Sequence, residues 1–94
     1  MIVYVVTQQI GTWSKKSLVS SPYTDNTAYK SKFAAYRDAA FSKNWYIKQG
    51  FELIGHRVKD ESKGEHSEHL VRVVAVRSET DQWIVIEVNK LVVL

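Results

Sequence analysis

The chain contains no cysteine, which removes disulfides, thiolate metal sites and thiol nucleophiles and fits a reducing compartment. Proline occurs once, at Pro22, and glycine only four times, so no Pro- or Gly-rich linker divides the chain. No apolar run reaches membrane-spanning length either. The opening MIVYVVTQQ is apolar for only about six residues and has no basic lead, which is too short for a signal h-region or a membrane span. No serine sits in a G-x-S-x-G elbow, no Walker loop occurs, and no H-x-E stands with paired cysteines. Those gaps leave hydrolytic, nucleotide-phosphate and deaminase chemistry without a motif. The expectation is a single domain over residues 1–94, soluble and cytoplasmic, with no membrane partner.

What remains is ordinary globular material. Apolar residues make up 45% and charged residues 24% of 94 positions, close to the average for folded domains. A chain of this length buries roughly 60–65% of its unfolded surface, enough for one core. The charge is unevenly spread. Residues 1–50 hold seven basic side chains against two acids, whereas residues 51–94 hold six against eight. The N-terminal half is therefore the cationic one, which allows a basic face.

Residues 2–8, IVYVVTQ, are dense in β-branched side chains and read as a buried strand. The following stretch, to residue 26, is irregular, with a short strand at residues 18–20. Pro22 disfavours helix at Ser21. A helix then follows, capped by Thr24, Asp25 or Asn26. Tyr29, Phe33, Tyr36 and Ala40 recur at spacings of four, three and four, which predicts one apolar stripe facing the core. Alanines at 28, 34, 35, 39 and 40 support the helix through Phe41. If it continues to Gln49, Trp45 and Tyr46 point away from the stripe and mark a contact surface; otherwise residues 42–44 break it. Gly50 supplies a C-cap. Three strands come after it: FELIGHRV (51–58), HLVRVVAVR (69–77) and WIVIEVNKLVVL (83–94). Short polar connections between them predict an antiparallel meander. The fold class is therefore α+β, a two-layer β-(β)-α-β-β-β domain with one main helix on one face of a mostly antiparallel sheet.

The segment NWYIKQGFELIGHR, residues 44–57, resembles part of the acetyl-CoA-dependent N-acyltransferases. In that family a helix carries a tyrosine four residues before a Gly-Phe pair that opens a strand. The resemblance rests on Tyr46, Gly50 and Phe51, and it implies a general-acid role for Tyr46. It covers about 14 residues, and the family's glycine-rich pyrophosphate turn has no counterpart, because no glycine occurs between Gly11 and Gly50. A glycine-capped helix followed by a phenylalanine packing back on its last turn explains the same residues.

GEHSEH places His66 and His69 three apart, with Glu65 and Glu68 beside them and His56 as the remaining histidine. Imidazole and carboxylate suit zinc or nickel, but a charged loop is the simpler reading, and neither metal nor cofactor is expected. Lys30, Arg37 and Lys48 fall beside one edge of the stripe and Lys32 and Lys43 beside the other; Lys15, Lys16, Lys30, Arg37 and Lys48 are candidates for phosphate contacts, with Trp13 as a stacking platform. The eleven aromatic residues supply the other clue. Trp13, Tyr23, Trp45 and Tyr46 fall near loops or element ends and are candidates for a partner-binding surface. The expected function is a non-enzymatic protein-binding module of the accessory or inhibitor type found in phages and mobile elements. A nucleic-acid-binding domain is the alternative, and a minimal acyltransferase-like enzyme comes third. The long apolar terminal run also predicts an edge strand that pairs with a second copy.

Overall fold

The computed structural model describes residues 1–12, 23–59 and 69–93. Strand β1 (Ile2–Thr12) is followed by β2 (Tyr23–Tyr29), helix α1 (Lys32–Lys48), β3 (Glu52–Val58), β4 (His69–Arg77), a 3-10 turn at Ser78–Thr80, and β5 (Gln82–Val92). All neighbouring strands run antiparallel, in the order β2-β1-β5-β4-β3. Helix α1 packs on one face, giving the two-layer α+β fold expected from the hydrophobic pattern. The three C-terminal strands do form a meander. The sequence run 18–20 lies outside the described residues.

The first and last strands meet in the middle of the sheet, paired from Ile2↔Val92 to Thr12↔Gln82. Strand β5 is therefore no edge, contrary to the expectation from its long apolar run. Its exposed-looking apolar residues serve two neighbours, β1 and β4. The edges are β2 and β3.

Side chains alternate across each strand. On the helix side β1 presents Tyr4, Val6 and Ile10, and β5 presents Ile84, Ile86 and Val88; β4 adds Val71, Val73 and Ala75. Gln8 shares this face and donates from Nε2 to Ser42 Oγ at 2.8 Å, so the one buried polar side chain of the helix, Ser42, has its partner in the sheet. An irregularity between Leu53 and Gly55 inserts Ile54 as an extra residue. The bulge re-aims His56 and Val58 to the helix side.

Two expectations about the helix are corrected. Thr24, Asp25 and Asn26 do not start the helix; they belong to β2, paired with β1 through Tyr4↔Tyr29 to Ile10↔Tyr23. A run of Tyr and Thr residues beside an open strand edge satisfies its backbone in the ladder, and that pairing outweighs local capping signals. The cap is Ser31, whose Oγ accepts from the Ala34 N–H at 3.3 Å. The stripe is the second correction. Tyr29 is a strand residue, Phe33 is 73% exposed, and Ala40 is exposed as well. Tyr36 does pack against the core as expected, but the face on the sheet is Ala35, Ala39 and Ser42, flanked by the partly buried Tyr36 and Tyr46. Small side chains let the helix approach closely while Val6, Leu70, Ile84, Ile86 and Val88 fill the layer from the sheet side.

The helix runs unbroken to Lys48. It ends at Gly50, whose φ of 93° is open to glycine and strained for any other residue. Gly50 N–H donates to Ile47 O and Phe51 N–H to Tyr46 O, both at 3.1 Å. This is the paired closure of a Schellman motif, and the Tyr46 and Phe51 rings complete it edge to face, 5.3 Å apart.

Candidate protein-docking face

With the small residues turned inward, the large ones have only the outside left. Phe33, Arg37, Phe41 and Trp45 follow one another at four-residue intervals, a repeat that keeps side chains on one face of a helix. Phe33 and Phe41 are each 73% exposed and Trp45 is 50% exposed. The Arg37 guanidinium carbon lies 5.4 Å from the Phe33 ring centroid, within cation–π range. Lys48, eleven residues beyond Arg37, returns to the same face after three turns.

Beside this ridge runs a groove of about 370 Å³ lined by Tyr29, Ala34, Arg37, Asp38 and Phe41. Its wall is braced by a hydrogen bond in which Tyr29 Oη–H donates to Asp38 Oδ2 at 2.8 Å. That bond to a carboxylate raises the Tyr29 pKa above its ordinary value, with partial desolvation and the negative charge of Asp38 acting in the same direction. The helix carries Lys32, Arg37, Lys43 and Lys48 against the single acid Asp38; Arg37 and Lys48 stand on the ridge face, whereas Lys32 and Lys43 fall on the Tyr36 flank.

No family model, curated protein or solved structure matches the chain. The site is thus defined by its own geometry.

The residues singled out in the sequence fare differently. Trp45 stands on the outer face. Tyr46, its neighbour, turns inward: its ring meets Trp45 at 4.9 Å and Phe51 at 5.3 Å, both edge to face. Tyr23 begins β2, but its side chain lies outside the described residues, as do Trp13, Lys15 and Lys16. Of the cations, Arg37 and Lys48 share the outer face and Lys30 sits on the exposed turn before the helix. Lys43 lines a smaller cavity of about 170 Å³ on the other flank, with Tyr36, His56 and Val58.

A third cavity, of about 260 Å³, opens beside Tyr46 and is lined by Ile10, Trp45, Gln49, Phe51, Arg77 and Gln82. Among the described residues Arg77 is the one cation lining it, and that cation is occupied. It donates to the Gln49 carbonyl at 2.8 Å, to Thr80 Oγ1 at 2.9 Å and to Gln82 Oε1, and its guanidinium lies 5.0 Å from the Phe51 ring centroid. Arg77 closes the C-terminal end of the helix, where a cation is favoured.

Among the described residues no group of three or more His, Asp or Glu side chains could hold a metal ion. Glu65, His66 and Glu68 lie outside those residues, as does the His69 side chain. Among the described residues, too, no helix is long and apolar enough to cross a membrane.

Phe33 and Phe41 are the residues of this candidate face that the sequence reading missed: Phe33 falls in the stripe expected to face the core, and Phe41 is assigned no face. A signal was available. Their face also holds Arg37 and Lys48, whereas the face through Ala35, Ala39 and Ser42 holds no charge.

Proposed function

We propose that this protein is a non-enzymatic binding module that acts by protein–protein contact through the outer face of α1. The observation that carries the reading is the exposure of Phe33, Phe41 and Trp45 along one helix face. Solvent-facing aromatics in a contiguous row are what interaction hot spots are made of, since they bury much area for little rotamer entropy. A domain of 94 residues built this way acts by covering a surface of its partner. Small cytoplasmic accessory or inhibitor proteins of phages and mobile elements act in that manner. Tyr46, which the acyltransferase resemblance would make a general acid, is engaged in closing the helix on Phe51, and this favours binding over catalysis.

Nucleic-acid binding is the second reading, because Arg37 and Lys48 share a face. Self-association through a sheet edge is a further proposal, and it would involve β2 or β3. Capture from host lysate, with and without nuclease, separates the main readings. The wild type is expected to retain a protein after nuclease treatment, and a Phe41→Ala/Trp45→Ala variant of unchanged melting temperature is expected to lose it. Equal capture by the variant, or capture that disappears with nuclease, overturns the reading.

A further inference from the structure

We infer that the occupant of the outer α1 face is an acidic amphipathic helix of a partner protein. The inference rests on the reading of that face as a protein-docking surface and adds the chemistry of the partner. Arg37 and Lys48 stand on the ridge face, and the one acid on the helix, Asp38, already accepts a hydrogen bond from the Tyr29 hydroxyl. A partner that desolvates Phe33, Phe41 and Trp45 also brings its own side chains against Arg37 and Lys48. Carboxylates there are matched, and cations are opposed.

Shape points to a helix. Side chains at four-residue intervals form a ridge of the kind that seats in the groove of a second helix. The adjoining groove along Tyr29, Ala34 and Phe41 is wide enough for one large apolar anchor. Arg37 and Lys48 lie about 16 Å apart along the axis, so the partner's carboxylates should recur about eleven positions apart on its facing side.

Other occupants fit less well. A second copy would place the same two cations, Arg37 and Lys48, against each other, with one engaged acid per chain to offset them. A nucleic-acid duplex would use Arg37 and Lys48 but leave the phenylalanine ridge without a purpose. A flat lipid surface would leave the groove unfilled.

The test is a titration of the isotope-labelled 94-residue chain with a designed helical peptide of about 18 residues, leucine on one face and glutamate elsewhere. The control replaces every glutamate by lysine. The acidic peptide is expected to shift the amide resonances of Ala34, Arg37, Phe41 and Trp45 and to bind about tenfold or more tightly than the control. Arg37→Glu/Lys48→Glu, which alters only exposed side chains, should reverse that preference. Equal binding of both peptides, no binding, or shifts confined to the sheet would overturn the inference. So would sedimentation of the protein alone as a dimer that Phe41→Ala dissolves, or binding to a DNA duplex or phosphatidylserine vesicles in place of the acidic peptide. If lysate capture still depends on Phe41 and Trp45 while the peptides are not distinguished, the partner is a protein of other chemistry. In that case only the present inference falls.

Discussion

Phe33 and Phe51 bring one side chain into opposite environments, 73% and 6% exposed respectively. Truncating a buried phenylalanine loses its transfer free energy and leaves a cavity, whereas truncating an exposed one removes little. Phe51→Ala is therefore expected to cost about 3–5 kcal/mol, and Phe33→Ala to stay within about 0.5 kcal/mol. Urea denaturation of the two variants checks both values; a large loss from Phe33→Ala would place that ring in the core. Tyr29 gives a pH signature. Its folded pKa lies above the ordinary value because the phenol donates to Asp38. The neutral phenol is thus the form that the fold favours. Its contribution is complete below the ordinary tyrosine value near 10 and is lost as pH rises through the raised one. Urea midpoints between pH 8 and 11 should fall more steeply for the wild type than for Tyr29→Phe. Parallel decline would show that the Tyr29–Asp38 bond is not the alkaline-sensitive contact.

The helix is the element where residue choice and orientation separate. Its capping serine, its Gly50 terminus and its alanine content all specify helix, but none specifies which side faces the sheet. That choice falls to volume. Among the described residues the six largest fully buried side chains, Leu70, Ile84, Ile86, Val6, Val73 and Val88, all come from strands, and they leave room for only alanine and serine opposite. Enlarging one of those positions should force the layers apart. Ala39→Leu is expected to cost about 1–3 kcal/mol through overpacking, although leucine is a good helix former. Ala40→Leu, one residue along and exposed, should be nearly neutral. Thermal or urea unfolding of the pair decides the matter: equal effects would mean that helix propensity, not packing, dominates here.

At the scale of the whole molecule, stability is expected to follow strand order. Strands β1 and β5 are each paired on both sides, whereas β2 and β3 each pair on one side among the described residues. Amide hydrogen exchange should be slowest at Val6, Ile84 and Ile86 and faster in β2 and β3. Comparable protection at Ile54 or Thr27 would indicate that their outer edges are covered in solution. The sequence by itself determined which segments are strands at 2–8, 51–58 and 69–77, the glycine-ended helix and the two-layer class. Those features depend on local periodicity and on backbone conformations that few residues can adopt. It also marked Trp45, Arg37 and Lys48. Only the tertiary structure decided that residues 23–29 pair as a strand, that β5 is central, and that Phe33 and Phe41 face outward. Each of these depends on a partner distant in sequence: the open edge of β1, the two neighbours of β5, and the large strand side chains opposite α1. An aromatic at helical spacing is compatible with either face until the volume across from it is known.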